Sequence, residues 1–223
     1  FFLADYTFIS LTSSIIIMAE FDTKFKPETT AVVVIEYQNE FCTPTGKLHG
    51  AVASVMESTN MLANSVATVT EARKKGCKII HVPISFSSDF KELSNNSYGI
   101  LLNVKNGSCF VAKSWGADFH ESMQPQPEDI VVSGKSGLCG FESTNLDFIL
   151  RQHKIETVAL GGFLTNCCVE STMRGAYEKG YKVITLTDCT ACSSPEAQDA
   201  AIQFTFPMFS LPMPSASFLE MLV

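Results

Sequence analysis

The sequence predicts an α/β fold, a three-layer α/β/α Rossmann-like sandwich with a central, mostly parallel sheet, and three observations carry that prediction. Short runs such as AVVVIE (31–36) are apolar at every position, the pattern of strands covered on both faces. Between those runs lie stretches whose apolar residues recur at three- and four-residue steps, as on one face of a helix. The chain of 223 residues, 46% hydrophobic and 17% charged, can bury one substantial core, and no break in composition divides it.

Taken in order, AVVVIE reads as the first central strand. From Ala51 to Lys75 the residues Val52, Val55, Met56, Leu62, Val66 and Val69 mark one long amphipathic helix, closed by Lys74, Lys75 and Gly76 as cations and a C-cap close helices. CKIIHVPI (77–84) and DIVVS (129–133) read as strands, STNLDFILRQH (143–153) as a helix, and TVALGG (157–162) as a strand. A helix from about Cys168 to Lys179, the strand KVITLT (182–187) and a helix from about Pro195 to Phe204 complete the alternation, which implies parallel strands joined by right-handed crossovers. Residues 85–128 are rich in Ser, Asn and Pro and read as an irregular excursion that carries function or an interface. The C-terminal FTFPMFSLPMPSASFLEMLV is expected to pack back on the body or on a neighbouring subunit.

One domain over 30–223 is expected, preceded by an extension at 1–29. Its start, FFLADYTFISLTSSIII, lacks the basic residues of a secretory signal and is too short for a membrane span. Met18, followed by the polar AEFDTKFKPE, is where the natural chain is expected to begin. If residues 1–17 are native, a secreted or organellar role opens.

Sixteen Lys and Arg against 23 Asp and Glu give a net charge of -7 and no basic stripe, which argues against a nucleic-acid partner. Eight cysteines in a chain with a large core read as free thiols in a reducing, cytoplasmic setting rather than as a disulfide framework. CTAC (189–192) has redox spacing but follows a late strand, so it reads as a loop. GKS (134–136) lacks the earlier glycine of a phosphate loop, since Asp129 stands in its place. His49, His81, His120 and His153 have no ligand spacing, so neither a metal nor a cofactor is expected, and His81 reads as a core or rim residue within its strand.

In an open parallel sheet, ligands bind beyond the carboxyl ends of the strands. Glu36 and Gln38 follow the first strand, Lys135 follows DIVVS, and Asn166 and Cys168 follow TVALGG at the start of a helix. A cysteine there would have its thiolate favoured by unpaired backbone N–H groups and the helix dipole, with Lys135 adding to the effect. Glu36 could then accept the thiol proton and return it to a leaving group. Cysteine is also a common packing residue, and Glu36 could equally be a plain ion-pair partner of Lys135.

The segment GGFLTNCCVESTMRGAYEKGY resembles the nucleophile region of the isochorismatase-like cysteine hydrolases. VVVIEYQNEF resembles that family's first-strand motif, GADFHESMQPQPEDIVVSGKSGLCGFESTNLDFIL its lysine region, and VITLTDCTACSS with FTFPMFS its closing segments. The resemblance implies a catalytic triad of Glu36, Lys135 and Cys168, with glutamate where the family has aspartate. It also implies a non-proline cis peptide at Leu164–Thr165 and substrate contacts from Gln38, Leu164, Thr165 and Asn166. Phe41, Trp115 and Phe141 are expected as apolar walls. Family members hydrolyse the vinyl ether of isochorismate, releasing pyruvate, or small amides and N-carbamoyl compounds. Isochorismate is the substrate expected here, with a small amide as the alternative; a weakened binding protein on the same fold is the third reading. The metal-holding Asp and histidines of the family's nicotinamidases are missing after HVPISF. A homo-oligomer, dimer or tetramer, is implied, and no membrane partner.

Overall fold

The computed structural model describes residues 24–223, so the expectations for residues 1–17 and Met18 lie outside the described residues. Six strands form one sheet in the order β3-β2-β1-β4-β5-β6, with every neighbouring pair parallel. They are β1 (Thr30–Ile35), β2 (Lys78–Val82), β3 (Ile130–Val131), β4 (Thr157–Phe163), β5 (Lys182–Ala191) and β6 (Leu211–Met213). Successive side chains of β1 go to opposite faces, as strand geometry dictates: Val32 and Val34 join one core, Ala31, Val33 and Ile35 the other. Each buried valine or isoleucine among them stabilises the fold by about 1.5–3 kcal/mol, which is why the central strands read as unbroken apolar runs.

Helices cover both faces. The long helix expected over 51–75 is two helices, α1 (His49–Ser58) and α2 (Met61–Lys75), because Asn60 adopts a left-handed conformation at φ 53°. Asparagine tolerates that region better than most residues, so the helical period runs through while the axis breaks. Residues 85–128 are not wholly irregular, for they hold α3 (Gly99–Asn106). On the other face lie α4 (Leu146–Gln152) and α5 (Glu170–Glu178). The last expected helix is α6 (Pro195–Ala200), which continues through a widened turn, Ala201–Thr205, into α7 (Phe206–Phe209).

Three further expectations change. DIVVS supplies only two strand residues, because β3 is a sheet edge that pairs with β2 alone and leaves Val131 44% exposed. CTAC is not a loop: β5 runs on through Ala191, and all eight cysteines are free thiols. The C-terminal segment is part of the fold, adding β6 to the sheet and then α8 (Ser215–Met221), which packs on α2. Phe25 also pairs with Leu222, which ties residues before β1 to the chain's end.

At the carboxyl end of the sheet, Ile35 of β1 aligns with Val82 on one side and Gly162 on the other. Gly162 has φ 132°, and a Cβ there would collide with the Ile35 carbonyl. Only glycine lets β1 and β4 approach so closely at the point where both strands give way to the site.

Candidate active site

The site begins where β1 stops. Glu36 donates its N–H to Val82 O at 3.1 Å and then turns into left-handed backbone at φ 61°, so its side chain leaves the strand register. Such a conformation is uncommon for a residue with a Cβ and is a recurrent feature of functional positions. From the β2–β3 side, a turn through Gly134 brings in Lys135, whose N–ζ group donates to Glu36 Oε1 at 2.5 Å and to Gly137 O at 2.6 Å. Both side chains are buried, at 0% and 3% exposure. Burial disfavours the Lys135 charge, but the Glu36 carboxylate and the Cys168 sulfur oppose it and hold the ammonium above its ordinary pKa.

Cys168 stands in a widened turn, Thr165–Val169, between β4 and α5. Its carbonyl accepts from the Thr172 hydroxyl at 2.7 Å, and Thr172 Oγ1 in turn accepts from Gly140 N at 2.8 Å, which locks the turn against the loop after Lys135. The thiol is 4% exposed. A hydrogen bond with the Cys167 thiol, burial and the Glu36 carboxylate all push it well above the ordinary thiol pKa, against the pull of Lys135. The Cys167 contact and burial thus work against the thiolate that the helix start and Lys135 favour, and the Glu36 carboxylate adds to that opposition.

Glu36 and Cys168 line one cavity of about 310 Å³, with Lys135 bonded to Glu36 behind it. The rest of its wall is mostly apolar. Phe41 and Leu164, both anticipated from sequence, contribute to it, and Phe41 is stacked on Phe163 at 4.8 Å between ring centres. The cis peptide stands at Phe163–Leu164, one residue earlier than expected, at the last residue of β4.

Other anticipated residues go elsewhere. Gln38 is fully buried and spends its amide on backbone: Nε2 donates to Ile84 O and Ala117 O, and Oε1 accepts from Ile84 N. Thr165 is also fully buried and donates to Gln198 Oε1 at 2.6 Å, whereas Asn166, within the same turn, is exposed. Trp115 is 50% exposed and lines a separate hollow with Asp118 and His120. Phe141 packs in the opposite core, stacked on Tyr181. Residues the sequence did not single out complete the cavity: Ile84 after β2, Leu48 before α1, Phe110, Leu138, and above all Ile100, Leu101 and Val104 of α3. The one signal for α3 was a glycine followed by apolar residues at positions 100, 101 and 104.

Among the described residues, no group of three or more His, Cys, Asp or Glu side chains could hold a metal ion, and no helix is long and apolar enough to cross a membrane. Chemically, the arrangement offers a nucleophilic sulfur, a proton-accepting carboxylate, a fixed ammonium and the N–H groups of a helix's opening turn.

The Isochorismatase domain model matches residues 30–217. The chain is 31% identical over 190 residues to ureidoacrylate amidohydrolase RutB of Pantoea ananatis, covering 80% of this chain and 76% of that protein. A cysteine hydrolase from Pseudomonas syringae pv. phaseolicola has the same fold, with a TM-score of 0.77 at 24% identity over 88% of this chain and 93% of the other. N-carbamoylsarcosine amidase from Thermoplasma acidophilum matches with a TM-score of 0.66 at 24% identity over 84% and 96% of the two chains. The family match spans both strand ends and the turn that carries Cys168, and this chain belongs to the isochorismatase family of hydrolases.

Proposed function

We propose that this protein hydrolyses a small carboxamide through a Cys168 thioester, with Glu36 carrying the proton and Lys135 fixing the charge and position of that carboxylate. The observation behind the reading is that a lysine-paired glutamate and a cysteine thiol line one enclosed, largely apolar cavity. As the substrate carbonyl approaches, Glu36 takes the thiol proton while Sγ bonds to the carbonyl carbon. The oxyanion is met by backbone N–H groups of the turn that begins at Thr165. Collapse expels the amine, which leaves with the proton held on Glu36. Water, deprotonated by the same carboxylate, then attacks the thioester, the acid leaves, and Sγ regains its proton.

The amide reading is favoured over isochorismate by the cavity wall and by the amidohydrolase relative. Isochorismate would have to bring charged carboxylates against Phe41, Phe110, Leu138 and Leu164, where losing hydration is costly without a cation to replace the water. Glutamate in place of the family's aspartate also fits, since it already reaches both Lys135 and the cavity. The test is to assay ammonia release across a panel of primary amides beside pyruvate release from isochorismate. Ammonia without pyruvate is expected. Pyruvate alone would replace this reading with vinyl-ether hydrolysis, and neither product would favour a ligand-binding role.

A further inference from the structure

A second cavity, of about 500 Å³, shares part of its wall with the first. Ile100, Leu101 and Leu138 line both, so the two cavities adjoin at the same three aliphatic side chains. Both volumes lie within the range of ligand pockets, roughly 300–1,000 Å³. The remaining wall of the second cavity differs in kind, because it comes from the polar segment before α3, with Asn96, Ser97 and Tyr98. The side chains of Asn96 and Tyr98 make no hydrogen bond among the described residues. The Glu92 carboxylate, on the same wall, is bonded through both oxygens to Ser87, whose N–H donates at 2.9 Å and hydroxyl at 2.7 Å. Helix α3 is held at its C-terminal end by Lys47, whose N–ζ group donates to Gly107 O at 3.0 Å and Ser108 O at 2.6 Å.

Resting on the amide-hydrolase reading, we infer that the two cavities form one elongated binding site for a linear carboxamide with a neutral hydrogen-bonding group at its distal end. The reacting carbonyl sits at Cys168, the apolar chain crosses Ile100, Leu101 and Leu138, and the distal hydroxyl or amide meets Asn96 and Tyr98. An apolar chain is favoured at the crossing because those three side chains offer it surface and no polar partner. A distal carboxylate is disfavoured because it would lie on the wall that carries Glu92, like charge beside like charge. Specificity then resides in α3 and the segment before it, apart from the strand ends that carry the chemistry.

Two measurements test this. The first compares kcat/KM for ω-hydroxyhexanamide and propanamide in the natural protein and in Ser97→Trp, which fills the second cavity; the ratio of long to short is expected to fall about tenfold. The second titrates ω-hydroxyhexanamide into the Cys168→Ser protein by calorimetry, where binding needs no turnover. Adding Ser97→Trp there should weaken affinity about tenfold, and the exposed pair Asn96→Ala with Tyr98→Phe should erase the preference for ω-hydroxyhexanamide over hexanamide. An unchanged ratio together with unchanged affinity overturns the second cavity and leaves the thioester reading standing. Affinity that responds in a protein that hydrolyses no amide keeps the cavity and removes the thioester reading.

Discussion

Two carboxylates, one at the carboxyl end of the sheet and one at its edge, each pair with a cation and have opposite fates. Asp129, beside β3, accepts from Arg73 Nε at 3.0 Å and Nη2 at 2.7 Å, from Gln126 N at 2.8 Å, and lies 3.2 Å from His81 Nε2. Its acceptor sites are taken by the protein itself. Glu36 gives Oε1 to Lys135, has no described partner for Oε2, and lines a cavity next to a thiol. A buried acid–cation pair is thus a fastening where its acceptor capacity is exhausted and a reactive group where one oxygen is left for something to enter.

That contrast breaks most sharply in activity. Cys168→Ala and Glu36→Gln should each lower kcat per folded molecule for the best amide by about a thousandfold, whereas Asp129→Asn should leave kcat per folded molecule where it is. Comparable losses in all three variants would erase the distinction. Lys135→Met leaves the Glu36 carboxylate buried without its cation and should cost about 3–5 kcal/mol in urea unfolding, as well as activity. For Asp129→Asn the expected loss is smaller, about 2 kcal/mol, because Arg73 retains 21% exposure and regains water.

The pH dependence of unfolding sharpens the comparison on the fastening side. Burial holds His81 below its ordinary pKa, against the pull of Asp129. Its folded value lies under the unfolded value of about 6.5, so the unfolded chain takes up the proton first as pH falls. Stability should be full above that pH and decline as pH drops through the lower folded value. Burial raises Asp129, but the Arg73 and Gln126 bonds outweigh it and depress the group, which extends the decline into the acid range. Urea melts between pH 8 and pH 5 should slope downward in the natural protein and less so in His81→Gln; parallel curves would remove His81 from the account. The smallest effect concerns thiol chemistry: iodoacetamide should label Cys168 slowly at neutral pH and faster in Glu36→Gln, where the neighbouring negative charge is gone.

Much of this was legible in the residues. β1, β2, β4 and β5 are written as unbroken apolar runs because both of their faces are covered, and the rule that sites lie beyond strand ends leads to Glu36, Lys135 and Cys168. β3 was overread because an edge strand of two residues needs less apolar sequence than its neighbours display. Asn60 breaks a helix whose period continues unbroken, so the pattern of apolar residues carries no trace of it. Gln38 was misplaced because a polar side chain at a strand end serves backbone as readily as ligand, and only its three bonds to Ile84 and Ala117 decide which. Trp115 and Phe141 depended on tertiary placement, which aromatic character alone does not specify. The upward push on the Cys168 thiol was not legible because it comes first from the neighbouring Cys167 thiol and from burial, which only the folded turn brings about.

Gly162 sets a boundary on how this protein can be altered. Any larger residue there would wedge β4 away from Ile35 and displace the next position, Glu36, from its lysine and its cavity at once. Libraries aimed at new substrates can vary positions 96–98, 100 and 101, but must hold position 162 constant, since one methyl group at that crossing would disarm variants whose binding surface was otherwise improved.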